Sequence, residues 1–185
     1  MRTLRIFNKG FTLIELLVVV SIIGVLSSIV IGSLQNARIK ATNTRKNSIA
    51  YDYQIALELY FNDHGKYPDP GSNSTFCLGD YPTDNCWVGT NAENTTLNAA
   101  LAPYIPSLPA DTTPTMYNFG GFSFNYWGII YRCVNQDVSA SGRCTNYQIY
   151  WFINLENQTC PGDIPLKSQG GITQCALPPS PYYTI

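Results

Sequence analysis

Phe11–Leu34 reads FTLIELLVVVSIIGVLSSIVIGSL, 24 consecutive positions with a single charged residue, Glu15. As a helix rising about 1.5 Å per residue, the run reaches roughly 36 Å, enough to cross the hydrocarbon core of a bilayer. A cleaved secretory signal is the competing explanation, because a basic start precedes the apolar stretch. The run exceeds the apolar core of about 7–15 residues usual in such signals, and no clear A-x-A site follows it. A carboxylate near its start is also out of place there. The segment therefore reads as a span that stays with the chain.

Helical periodicity continues beyond it. Ile49, Tyr53, Ala56 or Leu57, and Tyr60 recur at intervals of three to four, an apolar stripe suited to packing a domain. No proline interrupts residues 11–67, and Gly65 followed by Pro68 supplies a stop. One helix from about Phe11 to Asn62, roughly 78 Å long, is expected. Its first half has to be covered by lipid or by other copies of itself.

Charge is unevenly spread. Arg2, Arg5 and Lys9 precede the apolar run and Arg38, Lys40, Arg45 and Lys46 follow it, with no acid in either collar. From Tyr51 onward eleven acids face only Lys66, Arg132, Arg143 and Lys167, a balance of −7. That part has no basic surplus to mark nucleic-acid binding. The second collar, Arg38, Lys40, Arg45 and Lys46, is expected to meet lipid headgroups or to form ion pairs between subunits.

All six cysteines, Cys77, Cys86, Cys133, Cys144, Cys160 and Cys175, lie after residue 70, and none forms a C-x-x-C pair. An even count confined to a Tyr-, Asn- and Thr-rich region behind an apolar segment points to disulfides and an oxidising compartment. About fifteen pairings are open to six cysteines. Nearest-neighbour pairing is adopted because each bond then closes one short loop. The positive-inside rule does not orient the span, since both flanks are basic; the disulfides put residues after 70 outside the cytoplasm.

Residues 68–91, rich in Pro, Gly, Asn and Asp, read as a loop, and 93–104 as a short second helix. Strands are expected at 122–133, apolar on both alternating sets, and at 147–156, with Tyr147, Ile149, Trp151, Ile153 and Leu155 on one face. Residues 134–143 read as the hairpin loop between them. The tail, with Pro161, Pro165, Pro178, Pro179 and Pro181, reads as a loop stapled by Cys160–Cys175.

Lys9-Gly10 followed by Phe11-Thr12-Leu13-Ile14-Glu15 resembles a class III prepilin leader, as found in type IV pilins and in the pseudopilins of type II secretion. Ala56–Pro68 resembles the end of the long helix in short pilins and in the major pseudopilin, and Leu101–Pro114 their segment leading into the sheet. The resemblance implies an α+β, pilin-like fold: one long N-terminal helix, its hydrophobic half protruding, packed on a small antiparallel sheet with disulfide-stapled loops. It implies a leader at 1–10, a membrane and assembly half at 11–34, an amphipathic half at 35–62 and a head at 63–185.

The resemblance further implies that a prepilin peptidase cuts between Gly10 and Phe11 on the cytoplasmic face and that the new Phe11 amine is N-methylated. A glycine there lets backbone enter a protease cleft closely. Glu15 is then expected to meet the N-terminal amine of a neighbouring subunit and to set axial register; in the isolated membrane form it sits near the headgroups. Gly24 and Gly32 weaken the helix by about 1 kcal/mol each relative to alanine. Many pilins carry a proline in place of Gly32, and unwinding in the filament and close helix packing are both open readings of the pair. The major pseudopilin is cysteine-poor, which favours a pilin proper, and the Cys160–Cys175 loop resembles the disulfide-bounded region of true pilins.

Catalysis has little to work with. His64 is the only histidine, it sits at a helix end, and no G-x-S-x-G elbow is present. No cofactor is expected; Asp80, Asp84 and Glu93 are the weak candidates for calcium, without a D-x-D-x-D-G loop. Sequons at Asn73, Asn94 and Asn157 fit chance in an Asn/Thr-rich chain.

The expected function is a structural pilin, stored as a single-pass inner-membrane protein with its N-terminus cytoplasmic and its head outside. An inner-membrane platform would polymerise it into an extracellular helical homopolymer for adhesion, motility or DNA uptake. A type II secretion pseudopilin is the alternative, and a membrane-anchored monomeric binding domain a third reading. Contact with DNA or a host surface is compatible with the family but not indicated by these residues.

Overall fold

The computed structural model describes residues 10–70, 75–81, 85–87, 91–134, 144–161 and 165–177. The expectations on residues 1–9, Asp84, Asn73, the hairpin loop from 135 and the final prolines lie outside the described residues. The chain divides into two compact units, Met1–Lys40 and Ala41–Ile185.

Helix α1 runs Leu13–His64 without a break, as the proline-free run predicts. It ends where Gly65 turns into the left-handed region, at φ 67°, with its N–H donating to the Phe61 carbonyl at 2.7 Å. In the second unit the buried positions of α1 are Asn43, Lys46, Ile49, Ala50, Tyr53, Ala56 and Leu57, spaced to form one face.

That face packs on a five-stranded antiparallel sheet of order β1-β6-β7-β9-β8, formed by Thr75–Leu78, Ile129–Cys133, Tyr147–Asn154, Ile172–Leu177 and Pro165–Gln169. Strand β7 is central, and its Tyr147, Ile149, Trp151 and Ile153 are buried in one core with the α1 stripe. Two amides position the helix on this strand. Trp151 Nε1 donates to Asn47 Oδ1 at 2.9 Å. Asn43 donates to the Asn154 carbonyl at 2.8 Å and accepts from its N–H at 2.9 Å, standing in for a missing strand partner. Helix α2, Thr95–Leu101, is capped by Asn94, whose Oδ1 accepts from Leu97 N–H at 2.9 Å. The sequon asparagine is thus occupied as a cap.

Four expectations are corrected. The loop 68–91 contains β1, an edge strand of the main sheet, and the short pair β2 (Asn85–Cys86) and β3 (Asn91–Ala92). The single strand at 122–133 is two. It breaks at Gly128, φ 94°, where an added Cβ would press on Cys86. Residues Phe122–Tyr126 become β5 and pair with β4, Thr115–Phe119, in a separate ribbon, leaving β6 for the main sheet. Leu155 leaves the β7 face; it is exposed, with φ 73°. The proline-rich tail is not all loop, because β9 is an internal strand between β7 and β8. Pro165 opens β8, an edge strand, where a missing N–H is tolerated.

The disulfides are the three nearest-neighbour pairs, Cys77–Cys86, Cys133–Cys144 and Cys160–Cys175, with Cα–Cα distances of 5.9, 5.7 and 5.4 Å. Cys77 ties the edge strand β1 to β2, and Cys175 ties β9 to the segment leaving β7.

Lys46 also departs from expectation. It is buried rather than facing headgroups, and its Nζ lies 3.0 Å from Asp111 Oδ2. It donates to the Thr113 carbonyl and to Thr115 Oγ1, each at 2.7 Å. Burial pushes its pKa down, against the opposing pull of Asp111. Asp111 in turn accepts from the N–H groups of Thr113 and Gly128 at 3.2 and 3.3 Å.

Phenols fill much of the remaining core. Tyr53 donates to the Pro109 carbonyl at 3.0 Å, Tyr131 to Pro68 at 2.6 Å and Tyr147 to Glu58 at 2.9 Å. Burial pushes the phenols of Tyr53, Tyr81, Tyr131 and Tyr147 up, and that of Tyr67 up to about 12. A raised folded value means that stability is intact below the ordinary phenol value of 10 and is lost as pH rises through the folded one. The head should therefore unfold in alkali, with Tyr67 contributing between pH 10 and about 12. Phenolate absorbance should then rise together with loss of far-ultraviolet circular dichroism; separate transitions would show that the buried phenols do not control alkaline stability.

Candidate assembly interface

In the first unit the described backbone starts at Gly10, which is exposed with open space around its Cα. Phe11 is 86% exposed. Among the described residues nothing crowds Gly10 or covers Phe11, the two positions that the leader motif points to.

Thr12 precedes the helix and caps it. Its hydroxyl accepts from Glu15 N–H at 3.3 Å, while Glu15 Oε2 accepts from the Thr12 N–H at 2.9 Å and from its hydroxyl at 2.8 Å. This is a capping box, in which two otherwise orphaned donors are satisfied reciprocally. The carboxylate also lies at the positive end of the helix dipole. Sequence reasoning overlooked Thr12, although the T-x-x-E spacing ahead of an apolar run was a sufficient signal.

Along this segment sixteen large apolar side chains from Phe11 to Leu34 are exposed. They lie on every side of the helix, so no one-sided burial against a domain accounts for them. The helix meets the length and composition needed to cross a membrane. Ser21, Ser28 and Ser33 donate to the carbonyls three residues earlier, at 2.8, 2.7 and 3.0 Å, which satisfies their hydroxyls within the apolar run. Helix α1 passes through Gly24 and Gly32 intact, and a Cβ at either would meet nothing within 4 Å. Among the described residues no contact accounts for the two glycines.

His64, Asp80 and Glu93 belong to the second unit. His64 stacks on Tyr60 at 4.0 Å, as suits a helix end. Among the described residues no group of three or more His, Cys, Asp or Glu side chains is set to hold a metal ion. Glu93 is engaged by Tyr81 N–H at 3.2 Å and by the Asn98 amide at 2.8 Å, and Asp80 is exposed.

A capped apolar helix of this kind on an α+β, disulfide-bonded head defines the class of pilin-like subunits. Residues 7–31 match the model of the prokaryotic N-terminal methylation motif. The type IV major pilin protein PilE1 of Neisseria gonorrhoeae is 32% identical over 77 residues, covering 42% of this chain and 46% of the relative. The type II secretion system core protein G of Pectobacterium carotovorum subsp. carotovorum is 38% identical over 61 residues, covering 33% and 39%. A fimbrial protein of Neisseria meningitidis serogroup A is 35% identical over 68 residues, covering 37% and 38%. The chain spans less than half the length of these curated relatives, and no solved structure matches it.

Motif and relatives together support the resemblance to the type IV pilin and pseudopilin family. Both branches, a type IV major pilin and a type II secretion core protein, are represented among the relatives. The apolar helix and the motif fit an inner-membrane anchor.

Proposed function

We propose that the chain is the structural subunit of a type IV pilus-like filament. Residues 1–10 form the leader, 11–34 the membrane and assembly half of the helix, 35–62 its amphipathic half and 63–185 the head. The subunit waits in the inner membrane, is cut after Gly10 and methylated at Phe11 by a prepilin peptidase, and polymerises through residues 11–34 on an inner-membrane platform. Adhesion, motility or DNA uptake are the uses such a filament serves.

One observation carries this reading: an all-round apolar helix that begins at a methylation motif. Lipid covers such a surface before assembly, and sister helices cover it afterwards. In the polymer, Glu15 exchanges its local cap for the amine of a neighbouring Phe11 and so sets register. Gly24 and Gly32 act between copies, by local unwinding or by close helix approach. Three disulfides favour a head outside the cytoplasm.

Core protein G among the relatives favours a second reading, a pseudopilin of type II secretion. Sheared extracellular filaments containing the chain would favour the pilus; loss of protein secretion on deletion, without such filaments, would favour the pseudopilin.

Mass spectrometry of the mature N-terminus tests what the two share. The expected product begins at methylated Phe11, and Gly10→Val should leave an uncut precursor on a gel. A mature chain that retains residues 1–10 overturns both readings.

A further inference from the structure

The ribbon of β4 and β5 folds over the face of the sheet opposite α1. Its Asn118 N–H donates to the Gly170 carbonyl at 2.9 Å, and Gln169 Nε2 donates to the Tyr117 hydroxyl at 2.7 Å. Between ribbon and sheet lies a half-open cleft of about 120 Å³, lined by Tyr117, Tyr126, Phe152, Gln169, Ile172 and Gln174.

Its walls are aromatic. Tyr126 lies 5.8 Å from Tyr117 and 4.6 Å from Phe152, and Trp87 backs both Tyr126 and Phe152 at 4.8 and 4.7 Å. Its rim is an amide. Gln174 is directly opposite Phe152 in the β7–β9 register, half-buried, and its side chain makes no hydrogen bond among the described residues.

We propose that this cleft binds a single neutral pyranose sugar. None of its six lining side chains is an acid or a base of the Asp, Glu, Lys or Arg kind, so nothing in it recommends an ionic ligand. Ring faces carry negative charge density and attract the weakly positive C–H face of a sugar. The Gln174 amide offers both a donor and an acceptor to its hydroxyls. A purely apolar occupant would bury that amide without a partner, which costs about 1–3 kcal/mol on mutational scales. Size points the same way: the cleft is well below the roughly 300–1,000 Å³ of a drug-sized pocket and suits one ring. The sugar is either free or the terminal unit of a glycan.

Saturation-transfer NMR on the full chain in a detergent without a sugar headgroup tests this, with methyl glucoside, galactoside, mannoside and N-acetylglucosaminide as probes. At least one should receive saturation, strongest at its ring C–H protons, and compete with the others. Gln174→Ala should weaken binding about tenfold, as loss of a ligand hydrogen bond does. Phe122→Ala, at the exposed ribbon tip, should leave it unchanged. An oligosaccharide ending in the same unit that binds more tightly marks a glycan terminus as the source; equal binding marks the free sugar. The proposal falls if no pyranoside binds, if Gln174→Ala binds as the parent does, or if cyclohexanol binds equally well. None of these outcomes bears on processing at Gly10.

Discussion

The Glu15→Gln chain should enter the membrane as the parent does and fail to build filaments. Glutamine retains an oxygen that accepts from the Thr12 N–H, so the capping box seen at the helix start can persist. What it loses is the negative charge proposed to meet the amine of a neighbouring Phe11. Removing one partner of a buried, hydrogen-bonded charge pair costs about 2–5 kcal/mol, and about 1.4 kcal/mol already shifts an equilibrium tenfold. Repeated at every subunit contact, that loss is enough to prevent growth. Membrane insertion should be intact or improved, because a carboxylate within an apolar span is itself costly. Sheared filaments and membrane fractions are measured in parallel, with Glu15→Ala alongside. If the glutamine chain polymerises normally while the alanine chain does not, Glu15 serves as a cap and the register role is wrong.

Lys46→Met should cost the head about 3–5 kcal/mol, the penalty for leaving one member of a buried ion pair without its partner. Lys46 and Asp111 are each only 1% exposed, so water cannot take over from the missing ammonium. Methionine also removes the donors to the Thr113 carbonyl and Thr115 Oγ1. The double variant Lys46→Met with Asp111→Asn should recover a large part of the loss. Asparagine carries no charge, yet its oxygen still accepts from the Thr113 or Gly128 N–H. Urea unfolding of all three chains gives the comparison. A single-variant cost below about 1 kcal/mol, the range of exposed pairs, would show that this ion pair does not hold the helix to the 111–115 segment.

Lys46 also shows how far a linear pattern reaches. Its spacing of three from Asn43 and from Ile49 places it on the buried stripe, yet its composition placed it in a basic collar. Periodicity was the better guide. No local pattern could have named its acid, because Asp111 lies far along the chain, in the segment before β4 that packs against α1. The Thr12–Glu15 cap is the opposite case: its whole signal is contained in four residues, and it was legible but unread.

Strands divide in the same way. The face of β7 from Tyr147 to Ile153 was readable because one side packs on the helix and alternation survives. Ile172–Leu177 was not readable, since five of its six residues are buried and prolines on both sides of it suggested a loop. The break at Trp127–Gly128 was hidden by apolar residues on both alternating sets, which look continuous although one half joins a ribbon and the other the main sheet.

By itself, the sequence determined the unbroken long helix, its apolar first half and its stop at Gly65. These depend on neighbours within about one or two helical turns, where spacing and side-chain type suffice. Tertiary structure alone decided the strand order, the internal place of β9, the Lys46–Asp111 pair and the aromatic cleft under the ribbon. Each of those depends on which distant segments come together, and their pairing is set by burial of the whole core rather than by any short stretch within it.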